Sequence, residues 1–392
     1  MAVSSVTAQT TIEWWQFWTD PSIKPVIEQI VTEFEAQNPD IDVVLTDLTW
    51  ANGHEKIVIA LSSGRGPDVL ELGSDWIAQF AEAGHLAQIG ESIAGDSGSF
   101  DGWSMATYDG EVWGHPWILG TRVIFANRDL MRRAGFADDY IPITLDQFRE
   151  AVAKVDSIGS DVYGWGSNTA EKHRLYKKYL PFLWSFGGQI FSDDMRYCLL
   201  ASDFAINSLE YYRELHTEYG YVANQRGIED AFLDGKIGFI LSGDWLLKRM
   251  RNEGRTLNFT TTVFPGPQYP GRSFKGGEFL SINSASKNKE AALKLIKFVT
   301  SADNQVRFCK ANQSANPSSK EAQKDEYFTG DPHLMTFIRQ LRLANNPPVI
   351  PQWVTVETLI EDAIEDILFE DADPIADRLL ETRKAIERVM EQ

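Results

Sequence analysis

The chain has 392 residues, enough for two domains with substantial cores, and its 43% hydrophobic and 24% charged residues are ordinary for a globular protein. Its 37 basic and 56 acidic residues leave a net charge of −19. That argues against nucleic acid and anionic membrane as partners, because a broad phosphate-binding surface needs clustered positive charge. A small anionic ligand stays possible, since one local Arg can overrule the global field.

The first expected element is a strand over Thr11–Phe17 in the aromatic run TIEWWQFWTD. Side chains alternate between its faces, and a parallel strand covered on both sides hides both sets. Trp14, Trp15 and Phe17 are therefore read as core, and Trp18 as a rim residue. A helix over Ile23–Glu35 carries Ile23, Val26, Ile27, Ile30 and Phe34 on one stripe. Strand Ile41–Leu45, helix Glu55–Ser62, strand Val69–Leu72 and helix Trp76–Ala83 follow. This alternation predicts a parallel sheet with helices on both faces.

Next come strands Glu111–Gly114 and Arg122–Ala126, bracketing His115-Pro116-Trp117. Helices are expected over Asp129–Ala134, Leu145–Val155, His173–Phe186, Phe204–Glu218 and Glu229–Leu233. A strand at Lys236–Leu241 and a helix at Asp244–Arg251 lead to the turn-rich PGPQYPG of Pro265–Gly271. Strand Glu278–Ile282, helix Lys289–Val299 and a mostly helical end from His333 complete the reading. Breaks near Gly120 and Pro265–Lys275 imply two lobes joined by several connections.

Other signals are few. Cys198 and Cys309 form neither a metal spacing nor a disulfide framework, and buried free thiols are expected. No H-E-x-x-H, P-loop or G-x-S-x-G pattern occurs, and the six His show no paired spacing. No cofactor and no metal is expected. The acidic pairs Glu361/Asp362 and Glu365/Asp366 are read as a solvated helix face or a docking surface. No run reaches transmembrane length, and MAVSSVTAQT lacks the parts of a secretory signal. The chain is then cytoplasmic, or it starts after a removed leader.

Six segments in register resemble family-1 extracellular solute-binding proteins of ABC importers, the maltose- and oligosaccharide-binding type. They are GRGPDVLELGSDWIAQFAEAGHL (Gly64–Leu86), YDGEVWGHPWILGTRVIFANRDLMRRAGF (Tyr108–Phe136), WSFGGQIF (Trp184–Phe191), FLDGKIGFILSGDW (Phe232–Trp245), KGGEFLSINSASKNKEAALKLIKFVTSADNQ (Lys275–Gln305) and IPQWVTVETLIEDAI (Ile350–Ile364). The resemblance implies an α/β fold of two lobes, each a mostly parallel sheet flanked by helices, with a ligand cleft at the hinge. It places residues 1–119 plus 273–318 in an N-terminal lobe, and 120–272 plus 319–392 in a C-terminal lobe. It further implies a binding protein rather than an enzyme, periplasmic or extracellular and membrane-anchored. The expected partners are a carbohydrate and the permease subunits, and the expected state is a monomer.

Ligands of open α/β sheets bind beyond the carboxyl ends of strands, which selects Trp18, Thr19 and Asp20, and Gly73 to Trp76. A sugar needs flat aromatics against its C–H face, and carboxylates or Arg around its hydroxyl rim. Trp18, Trp76, Trp245 and Trp353 are the aromatic candidates. Asp20, Asp75, Arg122, Lys177 and Glu278 are the polar ones. Each has a plainer reading. Asp75 could cap its helix, Asp20 could form an Asp-Pro turn, and Trp353 could staple the helix that follows it. Asp244 is read as an N-cap. Where this chain has Gly120, some family members carry a carboxylate, which departs from a maltose-like contact set; Arg122 either clamps an acidic sugar or a hydroxyl pair bidentately, or pairs with an Asp across the hinge. His173 and Tyr176 are weaker candidates beside Lys177. Two other functions stay open: binding of an osmolyte or glycerol phosphodiester, and glycoside processing by two facing carboxyl groups.

Overall fold

The computed structural model describes residues 9–267, 270–313, 316–370 and 372–391. The start MAVSSVTA and the Gln268-Tyr269 pair inside the turn-rich segment lie outside them. The chain divides into two compact units. Unit 1 takes the chain up to Leu119, then Gly276–Gly330 and Val349–Pro351. Unit 2 takes Gly120–Lys275, Asp331–Pro348 and the chain from Gln352 onward.

The third crossing falls later than the sequence suggests. Residues 319–330 stay with unit 1, where Ser319 bridges Phe100 and the Lys320 amide donates to the Ser99 carbonyl at 2.9 Å.

Unit 1 is built on a five-stranded sheet in the order Ile41–Asp47, Thr10–Gln16, Val69–Gly73, Lys275–Ile282, His115–Thr121. The first three strands are mutually parallel, and Lys275–Ile282 runs antiparallel to Val69–Gly73. Helices Lys24–Gln37, Gly53–Ser62, Ile77–Glu82, Lys289–Val299 and Ala302–Asn312 belong to this unit. Its core holds Trp14 edge-on to Trp117, and Phe34 against Phe298. Trp15 is only half-buried, and its indole N–H donates to Glu13 at 2.7 Å. His115-Pro116-Trp117 is not a connector: it opens the edge strand His115–Thr121. Proline is tolerated on such a strand, where no ladder donor is lost to an inner neighbour.

Unit 2 has a second five-stranded sheet, ordered Phe259–Thr262, Val123–Asn127, Ile237–Ser242, Tyr163–Asn168, Gly220–Ala223. The first two pairings are antiparallel and the last two parallel. Both sheets therefore combine parallel and antiparallel pairings. In each unit a strand adjoining a crossing, Lys275–Ile282 or Val123–Asn127, runs against its neighbour. Helices Leu145–Asp156, Leu175–Ser185, Asp203–Tyr219, Trp353–Phe369 and Ile375–Met390 surround a core that includes Phe148 edge-on to Trp165. Cys198 and Cys309 are buried thiols in no disulfide.

Candidate functional site

In unit 1 the residues past the strand ends form a ring cluster. Phe17 follows Thr10–Gln16, and Trp50 lies in the connection after Ile41–Asp47. The two rings stack at 4.2 Å with planes 19° apart. Trp76, at the end of a short turn after Val69–Gly73, tilts onto Trp50 at 5.6 Å and onto His54 at 5.0 Å. His54 is held by Gln79 at 2.9 Å. Gly53 is obligatory here, because a Cβ would stand 2.2 Å from the Phe17 ring.

The carboxylates of this edge behave differently from one another. Asp75 is half-buried and accepts a hydrogen bond from Ser74 Oγ at 3.2 Å. It does not hold a cap position: the capping positions are Gly73 and Trp76, and neither uses a side chain. Asp20 is exposed, and one of its carboxylate oxygens accepts the Ser22 amide at 2.8 Å and the Ser22 hydroxyl at 2.7 Å. The turn reading of Asp20 therefore describes what that oxygen does.

Glu278 stands opposite Gly73, and Leu280 opposite Glu71, so Glu71 and Glu278 are diagonal neighbours on one face. Glu71 is fully buried and accepts the Phe17 amide at 2.9 Å. Burial first, then the charge of Glu278, pushes its pKa well above the usual carboxylate range.

Trp18 is half-buried with its ring edge-on to Phe308 at 4.9 Å and to Trp117 at 6.5 Å. It is seated in the packing of unit 1 more firmly than a rim residue would be.

In unit 2 the aromatic and charged groups are tied together. Trp245 opens helix Trp245–Asn252 just after strand Ile237–Ser242. Its indole N–H donates to Glu229 at 2.7 Å, and the same carboxylate oxygen accepts from Gln225 at 2.7 Å and Ser242 at 2.9 Å. A Cβ on Gly243 would fall 1.9 Å from the indole, so glycine is required there. The Arg122 guanidinium lies over the Trp245 ring at 4.4 Å, a cation–π contact. Asp244 takes the N-cap position, but its side chain makes no capping bond.

Lys177 Nζ stands 5.2 Å from the Tyr176 ring and 5.4 Å from Phe274. Its neighbour Lys178 is 5% exposed and donates to the Leu241 carbonyl at 2.5 Å. Burial, helped by Arg122, drives the Lys178 pKa down to about 7.

Trp353 does not present a face. It is 1% exposed at the start of helix Trp353–Phe369, edge-on to Tyr176 at 5.7 Å. The acidic stripe of this helix holds only in part, since Asp362 and Glu365 are exposed but Glu361 is not. Glu357 and Glu361 are buried, and Glu361 accepts the amides of His173 at 2.8 Å and Tyr176 at 3.3 Å. It satisfies donors at the start of helix Leu175–Ser185, which has no side-chain cap of its own. His173 bonds Glu357, whose carboxylate raises the imidazole pKa. Asp366 pairs with Arg378 at 2.5 Å.

Sequence reasoning missed Trp50. Its signal was position alone, an aromatic residue just past a parallel strand. No cluster of three or more His, Cys, Asp or Glu that could hold a metal occurs among the described residues.

A family model for bacterial extracellular solute-binding protein matches residues 20–306. The chain belongs to that family. This solute-binding protein is 26% identical over 369 residues to a maltodextrin-binding protein of Bacillus subtilis, covering 88% of this chain and 83% of the relative. It is 23% identical to a maltotriose-binding protein of Pyrococcus abyssi, covering 89% and 75%. The sugar-binding protein MalE of Xanthomonas citri has the same fold, with TM-score 0.87, 23% identity and coverage of 97% and 98%. Among the described residues, no helix is long and apolar enough to cross a membrane.

Proposed function

We propose that this solute-binding protein captures a mono- to oligosaccharide and delivers it to the permease of an ABC importer, outside the cytoplasmic membrane. The observation that carries the carbohydrate reading is the strand-end edge of unit 1. There, open aromatic rings sit beside the half-buried carboxylates Asp75 and Glu278. Rings serve the C–H face of a sugar and carboxylates its hydroxyls. The names of the maltodextrin- and maltotriose-binding relatives point the same way. The protein acts as a monomer. It binds without turnover.

A thermal-shift screen over a sugar library tests this, because a ligand that binds only the folded chain raises Tm. The expected result is a saturable rise with at least one oligosaccharide and no hydrolysis product. No rise with any sugar overturns the carbohydrate reading, and product at catalytic protein levels overturns binding without turnover.

A second reading, a glycerol phosphodiester, is favoured by Arg122 and Lys177, whose cations both lie over the Phe274 ring in unit 2. Including glycerophosphocholine in the screen separates the two.

A further inference from the structure

We propose that Trp50, backed by Phe17 and flanked by Trp76, is a stacking platform for one pyranose ring of the ligand. This rests on the carbohydrate reading above and names a residue that reading does not need.

The argument begins with exposure. Of the 12 Trp, Trp50 is the one in the exposed class, at 48%. An indole left in water forgoes burial worth about 2 kcal/mol or more. Its position excludes a mere surface accident. Trp50 sits past the carboxyl end of a parallel strand, where open α/β sheets bind ligands. A Cβ on Gly73 would lie 3.9 Å from it, and Asp75 is two residues further on.

The ring is also held. One face lies flat on Phe17 at 4.2 Å, which leaves the opposite face outward. Phe17 is itself 5% exposed and wedged over Gly53. Trp76 braces the group from the side and is braced in turn by His54. A ring fixed in advance loses little freedom on binding, so more of the stacking energy reaches the affinity.

The other aromatic candidates are engaged. Trp353 is sealed, Trp18 packs edge-on against Phe308 and Trp117, and Arg122 covers a face of Trp245. An outward indole face suits the apolar C–H face of a pyranose and reads ring shape more than hydroxyl number.

The test uses the full chain, with Trp50→Ala, Trp50→Phe and wild type titrated calorimetrically against glucose, maltose, maltotriose and galactobiose. Labelling with 5-fluorotryptophan adds a 19F signal for Trp50, assigned by its loss in Trp50→Phe. The expected result is at least about fivefold weaker binding of the preferred sugar by Trp50→Ala. Trp50→Phe should retain most of the affinity, and the Trp50 signal should move on saturation. If wild type binds a sugar and Trp50→Ala binds it equally well, the platform is overturned and the carbohydrate reading stands. If no sugar binds wild type, both fall. If Trp50→Ala does not fold, the wild-type 19F signal decides: unmoved at saturation, it overturns the platform.

Discussion

In unit 1 the strand-end rings lean on one another. Phe17, Trp50, Trp76 and His54 form a run of ring contacts that reaches solvent at Trp50. In unit 2 the candidate rings are fastened by charge and by burial. Trp245 is held between Glu229 and Arg122, and Trp353 is closed in against Tyr176. Unit 1 thus leaves a ring open to solvent, while unit 2 holds charged groups against its ring. The same residue type is open to solvent in one and enclosed in the other, and the difference lies in what neighbours it.

The largest effect that would break this comparison comes from Trp353→Ala. A sealed indole removed from a core costs about 3–5 kcal/mol, read from urea unfolding. A variant as stable as wild type but defective in binding would move Trp353 from scaffold to platform. Next is Lys178→Met. The native pKa of Lys178 is lowered from 10.5 to about 7, so its contribution to stability is present above pH 10.5 and lost as pH falls toward 7. Wild type should gain about 3 kcal/mol on Lys178→Met between pH 7 and 9.5. Equal slopes would mean the amine is hydrated.

Glu71→Gln tests the buried acid of unit 1. Its native pKa is raised, so its contribution is present below about pH 4.5 and lost as pH rises through the native value. Relative to wild type, Glu71→Gln should become steadily more stable as pH rises through that window, read from Tm against pH. The smallest effect on stability is expected from Trp50→Ala, about 1 kcal/mol or less, since the ring shields Phe17 but is itself half in water. A loss near that of Trp353→Ala would make Trp50 a structural lid and erase the contrast between the units.

Much of the architecture was legible because buried strands and amphipathic helices leave local patterns. Helix Lys289–Val299 is found residue for residue, and Val69–Gly73 within one. Strand Tyr163–Asn168 was not, because YGWGSN carries its glycines where neighbours press close: a Cβ on Gly166 would meet Ile228 and Ile240. Strand Phe259–Thr262 and helix Ala302–Asn312 escaped for want of a strong apolar stripe.

The candidate site was legible in position and less so in exposure. Strand ends pointed to Asp75 and Trp76 without help from distant residues. Whether a tryptophan faces water depends on partners far along the chain: Phe308 for Trp18, Tyr176 for Trp353. Glu361 looked solvated because its acceptor role is set by amides at residues 173 and 176.

The chain passes between the units five times, after Leu119, Lys275, Gly330, Pro348 and Pro351. That itinerary has a consequence during synthesis. Every strand of the second sheet lies between residues 123 and 262, so all emerge before Lys275–Ile282, an inner strand of the first sheet. At bacterial elongation rates the earliest strands wait on the order of ten seconds, with apolar edges uncovered, for a neighbour still inside the ribosome. The sheet begun first is completed last, and a holding chaperone would find its binding surface there.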